Sequence, residues 1–140
     1  MKTFLVLALF AFNAFAYEFD GKWVGKGELE DSIGKADCVV TIEIKSSAKQ
    51  IVIKTEEIRC AGSSSAEEIK RFDIVDDGLW LNNKRVGSFS DSDMILYQKI
   101  GTAENAKVYK AKADGMYFNS IWESRLSGRS TTTAILKKQP

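Results

Sequence analysis

The chain has 140 residues, with 20 Lys and Arg against 19 Asp and Glu, and no histidine. That balance leaves no basic stripe for a nucleic-acid backbone and no cationic face for an anionic membrane. The missing histidine removes Ser-His-Asp triads, Cys-His nucleophiles, His-ligated haem and His-containing zinc sites together.

Residues 1–16 read as a secretory leader rather than as part of the fold. Lys2 supplies the positive start, residues 4–12 the apolar stretch, and Ala14-Phe15-Ala16 an A-x-A-like cleavage site. The apolar run is too short for a bilayer, which needs about 20 residues. Tyr17, not Cys, follows the cut, so there is no bacterial lipoprotein signature. Cleavage leaves 124 residues as one domain, 17–140, with no formal net charge once Lys2 is gone. The expectation is a soluble protein, secreted or periplasmic, with no membrane span. In such a compartment Cys38 and Cys60 pair as a disulfide by default.

The first strand signal is Phe-Asp-Gly-Lys-Trp-Val-Gly-Lys-Gly-Glu-Leu, residues 19–29. Period 2 puts Trp23, Gly25, Gly27 and Leu29 on one face, where the indole plugs one end of a curved sheet and the glycines let it bend. A polar connection leads to a strand over 38–45, with Cys38, Val40, Ile42 and Ile44 inside. The return strand carries Ile51 and Ile53, and then the parity shifts to Ile58 and Cys60. A β-bulge near Glu56-Glu57 accounts for the shift and brings Cys60 towards Cys38.

Residues 61–65 read as a flexible loop and 67–75 as a further strand. Asp76-Asp77-Gly78 is a hairpin signal, Asn82-Asn83 a second turn and Ser90-Asp91-Ser92-Asp93 a third. Residues 101–105 form a connection, and Asp114-Gly115 is another hairpin. Met116, Phe118, Ser120 and Trp122 then share one face, and the last strand runs over 130–138. Helical periodicity is absent from the mature chain. The fold class is therefore all-β: one antiparallel up-and-down barrel of about 8–10 strands with no lid helices, closed because closure removes exposed edges.

A Gly21-Lys22-Trp23 triplet on the first strand of such a barrel resembles the calycins, which include lipocalins, avidins and fatty-acid-binding proteins. The resemblance implies that Trp23 closes one end beneath a basic side chain of the last strand, with Arg125, Arg129 or Lys137 as candidates. It also implies a cup with an apolar interior for a small ligand. The chain departs from lipocalins in ending soon after the last strand, and from fatty-acid-binding proteins in having no room for a helical lid.

The residues read as lining that interior are Trp122, Phe118, Tyr97 and Tyr109, with Ser120, Gln98 or Arg125 as the polar groups that orient a ligand. Trp80 reads as partly exposed beside its turn, a protein-contact candidate. The carboxylate pairs Glu56-Glu57, Asp76-Asp77 and Asp91/Asp93 read as turn or bulge residues rather than acid–base machinery. No metal site is read, since residues 90–93 lack the glycine and distal glutamate of an EF-hand loop. Nor is a cofactor or an enzymatic activity. The expected function is binding of a small apolar or amphipathic molecule inside the barrel. The alternative is a filled barrel acting on a protein partner or as an inhibitor, through loops such as 61–66 and 101–105.

Overall fold

The computed structural model describes residues 18–112 and 114–140; the leader read at 1–16 lies outside them. All regular structure among the described residues is β. The strands are β1 (Gly21–Glu30), β2 (Lys35–Ser46), β3 (Gln50–Cys60), β4 (Ser63–Glu67), β5 (Lys70–Val75), β6 (Gly78–Leu81), β7 (Lys84–Phe89), β8 (Asp93–Ile100), β9 (Ala103–Ala111), β10 (Gly115–Ser124) and β11 (Gly128–Lys138).

Each strand pairs antiparallel with its neighbours, in the order β2-β1-β11-β10-β9-β8-β7-β6-β5-β3, and β2 pairs back onto β3 to close a ten-stranded barrel. β4 is an eleventh strand. The first half of β3 (Gln50 to Ile53) pairs with β5, and its second half (Glu56 to Cys60) pairs with β4. Residues 63–65 are thus extended rather than looped. Gly62 turns the chain at φ 83°, and the serines then hydrogen-bond along β3 although no apolar alternation marks them. The connection read at 101–105 is shorter than expected for the same reason: β9 begins at Ala103 and takes in Asn105.

Local chemistry sets most of the turns. Asn82 and Asn83 both adopt positive φ, 50° and 62°, between the paired Leu81 and Lys84, the backbone of a type I′ hairpin that asparagine tolerates. Asp76 does the same at φ 55° before Gly78. The bulge lies a little earlier than the sequence suggests. Ile44 faces Ile53 and Glu43 faces Thr55, so Lys54 is the extra residue. One added residue reverses every later side chain. It turns Glu56, Ile58 and Cys60 inward and sets Cys60 directly opposite Cys38, to which it is disulfide-bonded. Reduction of this link, or Cys38→Ala with Cys60→Ala, is expected to lower stability by about 3 kcal/mol for a loop of this span. Denaturant midpoints with and without reductant measure it.

The core fills one half of the barrel. At the closed end Trp23 and Phe19 are fully buried, and the indole Nε1–H donates to the Phe19 carbonyl at 2.8 Å. The basic side chain over the indole is Lys138, with Nζ 5.4 Å from the ring centroid. Lys138 is opposite Trp23 in the β1–β11 register and shares its face, whereas Lys137 is opposite Val24 and points out. Arg125 and Arg129 lie at the other end of the barrel, around the β10–β11 turn. Above the plug, Ile42, Ile44, Ile51, Phe72, Met94, Phe118 and Leu136 close the lower half with almost no exposed surface.

Candidate ligand site

Halfway up the barrel the inward positions change character on four strands. On β10, Met116 and Phe118 give way to Ser120 and Trp122; on β11, Leu136 and Ala134 give way to Thr132 and Ser130. On β9 the switch is from Ala111 and Tyr109 to Lys107 and Asn105, and on β3 from Ile51 and Ile53 to Glu56. Glu56, Asn105 and Lys107 are 4, 5 and 5 % exposed. Charges at such depth are costly unless paired, and these are paired.

Lys107 Nζ donates to Glu56 Oε1 and, at 2.7 Å, to Glu67 Oε1. The Tyr109 hydroxyl donates to Glu56 Oε2 from below. Lys70 Nζ reaches Glu67 Oε2 at 3.0 Å and Gln98 Oε1 at 3.0 Å, tying the cluster to β8. Asn105 Nδ2 donates to Ser120 Oγ at 3.1 Å and to the Ile121 carbonyl at 3.0 Å. Together these side chains form a polar floor across the barrel.

Above the floor is a cavity of about 320 Å³ that opens at the disulfide end. Glu56, Glu67, Lys107 and Asn105 form its base. Its wall carries Trp122, Leu29 and Ile58 among the hydroxyls of Ser63, Ser64, Ser65, Ser120, Ser130 and Thr132. The volume is at the lower end of what small-molecule sites use. A larger groove of about 590 Å³ lies against the β8–β9 and β10–β11 turns, lined by Lys99, Arg125 and Arg129 among others. It is an open surface feature, where Arg129 meets Glu123 at 3.6 Å with both side chains more than half exposed. The cavity inside the barrel mouth, with buried polar groups at its base, is the better-built site.

Of the residues read from the sequence as lining a site, Ser120 and Trp122 reach this cavity. Phe118 lies in the filled half, fully buried, its ring centroid 5.2 Å from that of Tyr109. Tyr109 supports the floor from beneath rather than lining the cavity. Tyr97 is 48 % exposed and faces outward, because the inward positions on β8 are Met94 and Leu96. Arg125 sits on the exposed β10–β11 turn. Trp80 is half-buried on the outer face. The lining is also far more polar than the apolar interior expected.

Glu56, Glu67, Asn105 and Lys107 escape a reading that treats carboxylates near turns as structural. A signal for them exists: Lys107 and Asn105 keep the odd parity of Tyr109 and Ala111, and Glu56 keeps the even parity of Ile58 and Cys60.

The cluster sets its own protonation. Burial alone would lower the Lys107 pKa, but the charges and hydrogen bonds of Glu56 and Glu67 outweigh it and raise it above the usual lysine value. Burial, followed by the negative charge of Glu56, pushes the Tyr109 phenol well above its usual 10. Burial would raise Glu67, yet Lys107 and Lys70 bring it below the usual carboxylate value. Raised values stabilise below the unfolded-state pKa and lose that contribution as pH rises through the folded one. Lys107 and Tyr109 therefore contribute fully below about pH 10 and fail above it. The lowered Glu67 works the other way: its contribution is present above about pH 4.3 and is lost as pH falls through its folded value. The melting temperature is expected to hold a plateau between these limits, and Tyr109→Phe to move the alkaline edge but not the acid one. Thermal melts across pH measure both edges.

No protein-family model matches the sequence, and no curated protein matches it. Among solved structures, the chain is similar to an S-type phycobiliprotein lyase, CPES, from Guillardia theta. The TM-score is 0.61 at 10 % identity, over 88 % of this chain and 89 % of that one. A Bacteroides ovatus protein of unknown function aligns with TM-score 0.42 and 12 % identity, over 86 % of this chain and 42 % of that one. The likeness to the lyase is one of fold, that of an antiparallel barrel closed around an interior. Among the described residues no cluster of His, Cys, Asp or Glu has the makings of a metal site, and no helix is long and apolar enough to cross a membrane.

Proposed function

We propose that this protein binds a small, partly polar molecule in the upper half of its barrel and holds it without transforming it. The observation that carries this reading is the division of the interior. The lower half is packed with aromatic and aliphatic side chains, while the upper half holds a cavity above a buried ionic floor. A barrel selected only for stability has no use for that floor, since apolar residues of the same volume serve stability as well or better.

Binding rather than catalysis is supported by the charge states on the floor. Lys107, held protonated between two carboxylates, offers no free amine, and Glu67, held ionised, offers no proton at neutral pH. The stacking of Lys138 on Trp23 supports a place among the calycins. The Cys38–Cys60 disulfide supports export by the leader at residues 1–16, because such bonds persist in oxidising compartments.

The test is a native mass of the protein purified from its exporting host. A bound mass released on denaturation, with tryptophan emission that responds to re-addition and is blunted in Trp122→Phe, is the expected result. A bare chain whose emission ignores every added extract fraction overturns the reading. An N-terminus at Tyr17 in the same measurement is expected for the exported form.

A second reading rests on the rim. Ile33 and Leu126 stand at the tips of the β1–β2 and β10–β11 turns, 95 and 93 % exposed, on neighbouring corners of the open end. They support a contact with a partner protein at the cavity mouth, and Ile33→Ser with Leu126→Ser is expected to abolish that contact while leaving the melting temperature unchanged.

A further inference from the structure

The hydrogen-bonding valences left open on the cavity floor are lopsided. Each carboxylate oxygen at the floor accepts one hydrogen bond: Glu56 Oε1 from Lys107, Glu56 Oε2 from Tyr109, Glu67 Oε1 from Lys107 and Glu67 Oε2 from Lys70. A carboxylate oxygen has room for a second, so acceptor capacity remains on all four. Asn105 has spent both N–H groups on Ser120 and Ile121, and only its carbonyl oxygen is left. Against these five acceptors stand two donors: the third N–H of Lys107, whose other two point at Glu56 and Glu67, and the hydroxyl of Ser120, whose oxygen already accepts from Asn105.

The charges are lopsided in the same direction. Two carboxylates and one ammonium line the cavity, while Lys70, which balances the second carboxylate, reaches Glu67 from the β5 side and does not line it. With Lys70 set behind Glu67, the face turned to the cavity carries the excess, which favours a cation and repels an anion. Above it, half-buried Trp122 adds an aromatic face to the wall, which attracts cations and accepts apolar groups alike. A fatty acid or any other carboxylate would put its charge against Glu56 and Glu67.

Resting on the cavity reading above, we propose that the ligand is a small organic cation. A primary or secondary ammonium sits on the Glu56–Glu67 floor, and its apolar part lies against Trp122, Leu29 and Ile58. An ammonium brings two or three N–H donors to a floor rich in spare acceptors, and the hydroxyls around the wall take up any further polar group.

Three probes of one shape test this: benzylammonium, benzyl alcohol and benzoate, titrated calorimetrically at neutral pH with tryptophan emission followed in parallel. Benzylammonium is expected to bind roughly tenfold more tightly than the alcohol, the margin of one charge-assisted hydrogen bond, and benzoate least of all. Glu67→Gln, at a side chain 35 % exposed and so tolerant of change, is expected to bring amine and alcohol level. Lys70→Met removes the balancing charge and is expected to tighten benzylammonium further. If the alcohol or benzoate binds as well as the amine and quenches Trp122, the inference about charge is overturned while the cavity reading stands. No response to any of the three probes overturns the inference, and joined to a bare native mass it overturns the cavity reading too.

Discussion

Lys107→Met is expected to destabilise the protein by roughly 3–5 kcal/mol, the usual consequence of taking one partner from a buried ion pair. Glu56 is 4 % exposed and keeps only the Tyr109 hydroxyl once the ammonium is gone. For a domain of this size the melting temperature should fall by about 10 °C or more. The informative comparison is the triple variant Glu56→Leu, Lys107→Met, Tyr109→Phe. It removes the whole buried cluster rather than half of it, and leaves Glu67 its ion pair with Lys70 at 3.0 Å. Apolar replacement of complete buried ion pairs is often neutral or stabilising, so the triple variant should melt near the parent temperature and lose its response to ligand. Calorimetric melts of the two variants decide the matter. A triple variant as unstable as the single one would mean that the cluster holds the barrel together, and the functional argument from its presence would fail.

The parts of this molecule legible in its sequence are those set by neighbours along the chain. Alternation of period 2 marks most of the strands, and Asp76, Asn82 and Asn83 mark turns by the positive φ they tolerate. Trp23, Gly25 and Gly27 announce a curved first strand. The disulfide is legible because a hairpin brings Cys38 and Cys60 together once an extra residue is allowed. The cavity floor was not legible because it depends on which levels of different strands share a height in the barrel. Glu56 comes from β3, Glu67 from β4 and Lys107 from β9, so the cluster spans 40 and 51 residues of sequence. A single bulged residue, Lys54, decides whether Glu56 faces inward or outward. The same one-residue sensitivity separates Lys138, which stacks on Trp23, from Lys137, which faces solvent beside it. β4 left no trace, since Ser63, Ser64 and Ser65 form a strand only because β3 presents an edge to them.

Gly25→Ala tests how the barrel is drawn shut, and is expected to cost about 3 kcal/mol, at the severe end of overpacking by a single methyl. A Cβ at Gly25 would sit 2.1 Å from the Ile135 carbonyl oxygen and 2.8 Å from Leu136 Cα. Both belong to the backbone of β11, and that strand has no freedom to retreat: Ile135 and Leu136 are paired with Tyr117 and Met116 of β10 on its far side. Gly27 repeats the contact one step higher, where a Cβ would fall 2.5 Å from the Thr133 oxygen and 2.7 Å from Ala134 Cβ. Gly115 is the control, since an added Cβ there meets nothing closer than Leu136 O at 3.8 Å and its φ is ordinary. Gly115→Ala should therefore be neutral, or stabilising by a few tenths of a kcal/mol through the unfolded chain. Urea midpoints of the two alanine variants give the contrast directly, and equal midpoints would show that the β1–β11 seam has slack to absorb a methyl. The seam matters for the cavity as well as the fold. Gly27 stands opposite Ala134 and Cys38, at the level where the packed half ends. A seam forced apart there would widen the cavity wall next to Leu29, so Gly27→Ala is expected to weaken ligand binding as well as the fold.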